Sequence, residues 1–357
     1  MALPPAARRR EISEVERVFW AAFTALGVTM TAEALDLWED VPASPRGAAR
    51  AIERYLDQVL KVTRLRREHA RRIAIPYYRL VRALWTGRTL QPLEVNNSGR
   101  VVETQAVETE TLDDLREDFY SVIEILVPEA LEDRPEASSQ DGDDEIPVDE
   151  VEDLADSLNE LEDTLDEITE DDLSLQAAKA GGRVTTVEEG GKTAVEFRDE
   201  MEDALLTEGA KLASKAQRSV RDGARRTSDV LAEKDPKAIG WIRVSLSGTP
   251  CGFCAMLIAR GLQKKGQRLT IGTLYKSERA AERDAMGEKY HDNCQCRAVP
   301  VFSEEQILND PAYELNRRYA KLWPRVTSGK GGKDALAAWR KYFRSHPSEV
   351  SGEPQAG

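Results

Sequence analysis

Cysteine and histidine side chains that could bind a metal are concentrated in one segment of this 357-residue chain. The chain has four cysteines, arranged as Cys251-x-x-Cys254 and Cys294-x-Cys296, and His291 precedes the second pair at an H-x-x-C spacing. Thiolate and imidazole groups are the preferred ligands of structural zinc, which normally takes four of them. We therefore predict a structural zinc site formed by four of these five residues.

Two other arrangements are open to the same cysteines. They could form a reduced cluster that joins two strands by packing and thiol hydrogen bonds, or a disulfide clamp once the protein leaves the reducing cytoplasm. A zinc ion held by four thiolates would carry a net charge of about −2. Four cations that are close in sequence could compensate it: Arg260, Lys264, Lys265 and Arg297.

The segment also contains residue types that perform nucleophilic catalysis. Cys251 with His291 could supply a nucleophile and a base. A triad could instead use one of two serines, Ser245 or Ser247, with His291 and the adjacent Asp292. The spacing specifies neither arrangement, and no nucleophile elbow is present. The residues therefore leave open whether the protein is an enzyme, and they favour a structural role.

A strongly basic stretch lies between residues 64 and 88, with aromatic residues among the arginines. The favoured interpretation is a helix whose long Arg stems cover apolar surface while their charged ends stay in water. The alternative is an electrostatic face for DNA or for an acidic partner. The arginines that would contact DNA are Arg64, Arg66, Arg67, Arg71 and Arg72.

An acidic segment follows, with eighteen Asp or Glu and no Lys or Arg between residues 135 and 172. Its first part, residues 134–147, has too few apolar side chains to form a core and is predicted to be disordered. In its second part, apolar residues recur at spacings of three and four, which predicts an acidic helix: Val151, Leu154, Leu158, Leu161, Leu165 and Ile168. The helix could bind another protein or dock on the basic N-terminal helices, and the opposite charges favour docking.

The remaining patterns predict an α+β fold that is mostly α-helical. Helices are predicted over residues 11–88 with a turn at 42–45, and over 194–233, 304–323 and 333–343; strands are predicted over 240–248 and 299–302. A glycine-marked linker is predicted at residues 180–192. Four parts follow: a basic-faced helical domain (1–100), an acidic linker with an interaction helix (101–192), a small α+β domain with the Cys/His cluster (193–346) and a disordered tail (347–357).

The composition indicates a polar, acidic protein with a formal charge of −14. The best apolar run, Val18 to Val28, is shorter than the roughly 18 residues that span a bilayer, so we expect no contact with a membrane. The N-terminus has a basic cluster but no apolar region after it, which predicts no secretory signal and synthesis in the cytoplasm.

The cysteine segment resembles that of a known family of phage proteins. SGTPCGFCAMLIARG, from Ser247, and YHDNCQCRAVPVF, from Tyr290, resemble the C-terminal segment of Mu F-like minor head proteins, especially those of tailed actinobacterial phages. Residues 73–90 are similar to the N-terminal helical signature of the same family, and the stretch from Tyr319 is similar to its closing segment. The acidic middle, residues 103–172, is not covered.

The resemblance implies a minor capsid protein for head morphogenesis, made in the host cytoplasm and located inside the procapsid and the virion. Its implied partners are the portal protein, the major capsid or scaffold protein, and packaged DNA. Proteins of this group are often labelled capsid maturation proteases, so cleavage of the major capsid or scaffold protein is the alternative function. The resemblance supplies no set of catalytic residues for this chain.

Overall fold

Two long antiparallel helices form the N-terminal part of the protein. The computed structural model describes residues 5–42, 45–104, 107–132, 145–186, 194–245, 248–264 and 296–351. Helix α1 spans Pro5–Glu39 and α2 spans Pro45–Thr86. Ring contacts join them at both ends, between Trp38 and Tyr55 and between Phe19 and Tyr77. The predicted helix pair with a turn near residues 42–45 is therefore confirmed.

Helix α2 continues without interruption through Pro76, although a proline usually starts or kinks a helix. A proline inside a helix costs about 3 kcal/mol. The next two side chains, Tyr77 and Tyr78, are buried at 1% and 0% exposure, and burying a large side chain of this kind contributes about 1.5–3 kcal/mol. Packing of the two tyrosines therefore offsets the cost of the proline.

Short strands and one helix cover the end of α2. The strands are β1 (Thr89–Leu90), β2 (Leu93–Val95), β3 (Val101–Glu103), β4 (Thr109–Thr111) and β5 (Glu145–Asp149). β5 pairs in parallel with β1 and antiparallel with β4, while β2 and β3 form a separate hairpin. Helix α3 follows β4 and spans Leu112–Leu126.

Helix α3 has no counterpart among the helices predicted from sequence. Its N-terminus is a capping box, in which the Asp114 N–H donates to the Thr111 hydroxyl at 3.1 Å and the Thr111 N–H donates to the Asp114 carboxylate at 2.9 Å. This reciprocal pair satisfies two of the open N–H groups at a helix start. The sequence signal for α3 is therefore the Thr-x-x-Asp spacing.

The acidic segment forms a helix docked on the basic one. Helix α4 spans Leu154–Thr185 and α5 spans Ala194–Lys234; both pack on α2, and α5 also packs on α1. Pairs such as Thr169–Ser219 and Gln176–Glu208 show that α4 and α5 run antiparallel. Four leucines of the predicted seam are buried: Leu154, Leu158, Leu161 and Leu165. Docking on the basic helices is therefore the arrangement that forms.

Helix α4 also continues into the predicted linker at residues 180–192. Gly181 and Gly182 lie inside the helix, which ends at Thr185. Each interior glycine costs about 1 kcal/mol relative to alanine. Ala180 and Val184 are fully buried in the bundle, and this burial holds the last turns of α4 in place. The remainder of that predicted linker, residues 187–192, lies outside the described residues.

Helix α1 is long and apolar enough, over Ala6–Glu39, to meet the length and composition criterion for a membrane span, and no other helix among the described residues does so. The sequence expectation that no segment is long enough is corrected on this point. Half of the most apolar window, 50%, is buried in the protein, because α1 packs against α2 and α5. A core helix meets the same criterion.

A small antiparallel sheet and a group of helices form the C-terminal part. The elements are β6 (Gly240–Ser245), α6 (Gly252–Ala259), β7 (Gln263–Lys264), β8 (Cys296–Val301), α7 (Glu304–Asn309), α8 (Glu314–Thr327), α9 (Gly332–Ser345) and α10 (Pro347–Val350). The strand order is β7-β6-β8. A mostly helical α+β fold is therefore confirmed, with β8 starting earlier than the predicted strand.

The sheet β6–β8 has two buried faces. Ile242 and Val299, which are partners in the β6–β8 register, belong to the core of the helical bundle. Cys296 belongs to a second core with α6, α8 and α9. The sheet thus connects the bundle with the C-terminal helices, and packing crosses the predicted boundary at residue 192. The predicted tail begins instead with α10, whose Val350 is buried in this second core.

Candidate functional site

The Cys-x-x-Cys turn lies at the N-terminus of α6, directly after β6. Cys251 is the N-cap of α6, and its Sγ accepts a hydrogen bond from the Cys254 N–H at 3.4 Å. In the antiparallel register, Ser245 at the end of β6 faces Cys296 at the start of β8. The fold therefore brings the end of the strand before Cys251 next to the strand that begins at Cys296.

Two of the three described cysteines are buried in the same core. Cys254 and Cys296 are each 1% exposed, whereas Cys251 is exposed. Their core is closed by aromatic side chains of α8 and α9, among them Tyr319 and Trp339, which meet edge to face. Cys254 and Cys296 are thus anchored by packing, while Cys251 faces the surface.

The buried Arg243 is a neighbour of this cluster that the sequence patterns did not indicate. Its Nη1 donates to the Cys254 Sγ at 3.7 Å, and its backbone carbonyl accepts a hydrogen bond from the Asn316 side chain at 2.6 Å. A guanidinium in this position stabilises negative charge on sulfur. Arg243 was detectable only as a charged residue in an otherwise apolar strand.

The predicted zinc ligands are only partly within the described residues. Cys251, Cys254 and Cys296 are described, and His291 and Cys294 are not. In the described part of the chain, no three His, Cys, Asp or Glu side chains form a group that could hold a metal ion. The three described cysteines therefore do not make a zinc site by themselves, and zinc would need both remaining residues.

The candidate catalytic groups are not brought together within the described ranges. Ser245 is fully buried, in the middle strand of the sheet. Ser247, His291 and Asp292 lie outside the described residues. Cys251 is exposed, but its predicted partner His291 is among those undescribed residues. The hypothesis of a triad with Ser245 as nucleophile is disfavoured, because a nucleophile needs access to substrate.

Arg297 was expected to compensate the charge of a metal site, but it points into the helical bundle. Its Nη2 lies 3.3 Å from the Glu16 carboxylate, and its Nη1 donates to the Tyr77 hydroxyl at 2.8 Å. The guanidinium also stacks over Trp20, 3.5 Å from the ring centroid. Burial raises the pKa of Glu16 although Arg297 opposes the shift, and burial likewise raises the pKa of Tyr77. Arg297 thus ties the sheet to α1 and α2.

Two of the arginines predicted to contact DNA are buried between α2 and α4. The side chains of Arg67 and Arg71 are 0% and 1% exposed. Arg67 Nε donates to Glu162 at 2.8 Å, and Arg67 also contacts Asp166. Arg71 lies 3.3 Å from Glu162 and donates to the Leu158 carbonyl at 3.1 Å. These two guanidinium groups therefore hold the acidic helix on the basic one.

The other three arginines of that set also pair with carboxylates of the chain. Arg64 is the most exposed, at 46%, and it contacts Asp166 and Glu170 at 3.2 and 3.4 Å. Arg66 pairs with Glu33, and Arg72 pairs with Glu68. The basic stretch of α2 is thus largely neutralised within the protein. Contact of these five arginines with DNA stays a prediction.

Comparison with known proteins places the cysteine segment in a phage context. Residues 184–322 match the VG15 protein family. The chain is 28% identical over 157 residues to the Gene 15 protein of Mycobacterium phage D29, and 31% identical over 167 residues to the Gene 15 protein of Mycobacterium phage L5. The aligned parts cover 39% and 40% of this chain and 55% of each relative.

The chain therefore spans about half the length of the curated relatives that it matches. No solved structure matches the chain. The family match runs from the end of α4 through α5, the sheet and most of α8. These similarities support a phage-encoded protein of a phage protein family.

Proposed function

We propose that this protein is a phage head morphogenesis protein, a Mu F-like minor capsid protein that acts inside the procapsid near the portal and packaged DNA. One observation carries the proposal. The part of the chain that matches a phage protein family, residues 184–322, contains the whole cysteine segment on which the Mu F-like resemblance rests. The family match and the Mu F-like resemblance therefore fall on the same residues.

The architecture is consistent with a structural role. The sheet β6–β8 is buried on both faces, and Arg297 fastens it to α1 and α2 through Glu16 and Tyr77. Arg67 and Arg71 fasten α4 to α2 in the same way. Such buried charged pairs fix one arrangement of helices. A fixed body of this kind suits a protein that contacts the portal and the major capsid or scaffold protein.

The peptidase alternative has weaker support. Among the described residues, the candidate nucleophile Ser245 is fully buried in a paired strand. The base predicted for Cys251, His291, lies outside the described residues. We therefore favour the structural role, with assembly rather than cleavage as the activity.

The proposed role is tested in the phage that encodes the protein. We expect mass spectrometry to find the chain in purified procapsids and virions at a few copies per particle. An amber mutant should form heads that are not infectious, and a plasmid copy of the wild-type gene should restore them. Infectious particles that lack the protein would refute the head role.

A second measurement separates the structural role from the peptidase alternative. N-terminal sequencing of the major capsid protein from wild-type and amber-mutant heads should give the same N-terminus if the protein only assembles. Cleavage that depends on this protein, and that is lost in Cys251→Ala or His291→Ala, would favour the peptidase instead.

A further inference from the structure

Positive charge is concentrated at the C-terminal end of an otherwise acidic chain. Residues 314–350 contain nine Lys or Arg against three Asp or Glu, a formal charge of +6, whereas the whole chain carries −14. These residues form α8, α9 and α10. The nine cations define what we call the C-terminal basic surface: Arg317, Arg318, Lys321, Arg325, Lys330, Lys333, Arg340, Lys341 and Arg344.

This surface differs from the basic stretch of α2 in exposure. Seven of the nine cations are exposed residues, and the other two, Arg317 and Arg318, are half-buried. The side chain of Arg325, for example, is 67% exposed, compared with 0% for Arg67. The charge of the C-terminal basic surface is therefore in contact with solvent.

The surface also differs in pairing. Two ion pairs form within it, Arg318–Glu314 at 3.7 Å and Arg325–Glu349 at 3.5 Å. The other seven cations form no ion pair with a residue that the structure describes. The five α2 arginines between residues 64 and 72, by contrast, each contact at least one carboxylate. Most of the charge on the C-terminal basic surface is thus not neutralised by the described residues.

A groove lies within this surface. Arg318, Lys321 and Arg325 recur at spacings of three and four along α8, and together with Leu322 and Glu349 they line an open cavity of about 380 Å³. At 1.5 Å per residue, the three cations extend over about 10 Å of helix. This length corresponds to about three nucleotide steps along one strand of duplex DNA.

On α9, four further cations share one face. Lys333, Arg340 and Arg344 lie at spacings that place them together on a helix of 3.6 residues per turn, with Lys341 at the edge of this face. All four are exposed. Ala335 and Trp339 bury the other side of α9. The C-terminal basic surface therefore extends beyond the groove to a second helix.

The absence of large exposed hydrophobic side chains from the C-terminal basic surface indicates the class of partner. Large hydrophobic residues are exposed elsewhere in the described structure, including Ile125 and Leu206, but none lies in residues 314–350. The centre of a protein–protein interface is usually apolar and depleted in charge. Binding of a phosphate backbone needs only cations and hydrogen-bond donors. The surface fits a polyanion better than it fits a protein.

We propose that the C-terminal basic surface binds the phosphate backbone of nucleic acid, without dependence on base sequence. Arg318, Lys321 and Arg325 in the groove would contact adjacent phosphates. The inference stands on charge, exposure and shape, so it does not require the head role. In a head protein it would place the DNA contact on α8 and α9 instead of α2.

The test measures binding of the full-length protein to a fluorescently labelled duplex DNA by anisotropy, over a range of salt concentrations. The variant Arg318→Gln/Lys321→Gln/Arg325→Gln removes three charges from the groove. A matched control, Arg54→Gln/Lys61→Gln/Lys179→Gln, removes three exposed charges from other helices. Both variants have the same net charge, so an effect of overall charge would be equal in the two.

We expect the wild-type protein and the control to bind, and the groove variant to bind at least tenfold more weakly. Loss of three phosphate contacts should also lower the slope of log K against log salt by about 2.7, at about 0.9 per contact. Unlabelled duplex DNA, single-stranded DNA and RNA as competitors identify the preferred polyanion. A polyglutamate peptide tests for an acidic protein partner.

Several outcomes would overturn the proposal. These are no binding of the wild-type protein at low salt, equal losses in the two variants, unchanged binding by the groove variant, or binding of polyglutamate but not of nucleic acid. Circular dichroism checks folding, and Lys333→Gln/Arg340→Gln/Arg344→Gln replaces the groove variant if that one unfolds. Presence of the protein in virions is measured separately, so the two proposals fail independently.

Discussion

The contact between Arg67 and α4 gives the sharpest test of how the fold is held together. The Arg67 side chain is fully buried between α2 and α4, where its Nε donates to Glu162 at 2.8 Å and its Nη1 donates to Thr169 and Ser219 at 3.0 and 3.2 Å. Arg67→Ala removes all of these bonds. The negative charge of the Glu162 carboxylate, which is 13% exposed, then loses one of its positively charged neighbours.

The expected loss follows from burial. Removal of one partner from a buried ion pair costs about 3–5 kcal/mol, because the other charge remains in a poorly solvated position. Two features reduce the loss here. Arg71 still lies 3.3 Å from Glu162, and Asp166 is 35% exposed and so keeps some water. We therefore expect Arg67→Ala to lower the free energy of unfolding by about 3 kcal/mol.

Urea denaturation followed by far-UV circular dichroism measures this loss. Arg64→Ala is the matched control, because Arg64 lies on the same helix and also contacts Asp166 but is 46% exposed. An exposed pair contributes about 0–1 kcal/mol. A double-mutant cycle with Glu162→Gln should give a coupling energy of about 0.5–3 kcal/mol between residues in direct contact.

A loss of less than about 1 kcal/mol for Arg67→Ala would refute this account of the α2–α4 contact, since a buried pair would then cost no more than an exposed one. Equal losses for Arg67→Ala and Arg64→Ala would refute it as well. Either result would mean that the leucine seam of α4, and not the charged pair, determines where the acidic helix docks.

Three further predictions concern packing, pH and metal. Gly223→Ala should lower the free energy of unfolding by about 1–3 kcal/mol, because the new Cβ would lie 3.0 Å from the Arg67 carbonyl oxygen. Gly182→Ala, where the Cβ would meet open space, should instead stabilise the protein. Equal effects of the two variants in urea titrations would contradict the close approach of α2 and α5. The pKa of Glu16 is raised above 4.5 in the folded state, so the melting temperature should fall as pH rises from this value through the raised pKa. Glu16→Gln should remove that dependence. A melting temperature that rises over the same pH range would contradict the raised pKa of Glu16. Metal analysis should find about one zinc per chain, lost in Cys294→Ser; freshly reduced protein without zinc would exclude the site.

The long helices could be predicted because their signals are local. The apolar positions of α1 and the leucines of α4 repeat at helical spacing, so a short window of sequence contains the whole pattern. Strand β6 alternates in the same local way, and its Ile242 and Val244 are buried in the bundle core as expected. Tertiary packing reinforced these elements instead of opposing their local preference.

The partners of the buried charges could not be predicted because they are distant in sequence. Arg67 meets Glu162 across 95 positions, and Arg297 meets Tyr77 across 220. A basic stretch has the same composition whether its cations face solvent or an acidic helix. Opposite net charge favoured docking of α4 on α2. Only the structure identifies which arginines pair with α4 and which cations, on α8 and α9, remain exposed.

At the candidate site, the cysteine pattern predicted correctly that two strands meet, since β6 and β8 are paired with Ser245 opposite Cys296. It did not reveal Arg243 beside Cys254, because a single arginine in a strand carries no periodic signal. The assumed role of Arg297 was wrong for a related reason. Adjacent residues in a strand point to opposite faces, so nearness to Cys296 in sequence placed Arg297 away from the cysteines.

This alternation allows only one register for β8. Cys296 lies in the C-terminal core, while Arg297 reaches Glu16 in the bundle. A shift of β8 by one residue would exchange the two faces, moving the guanidinium into a core of aromatic rings and leaving the Glu16 carboxylate buried without its cation. Insertions or deletions of a single residue within β8 should therefore be far less tolerated than substitutions there, because Cys296 could not stay opposite Ser245 while Arg297 still reaches Glu16.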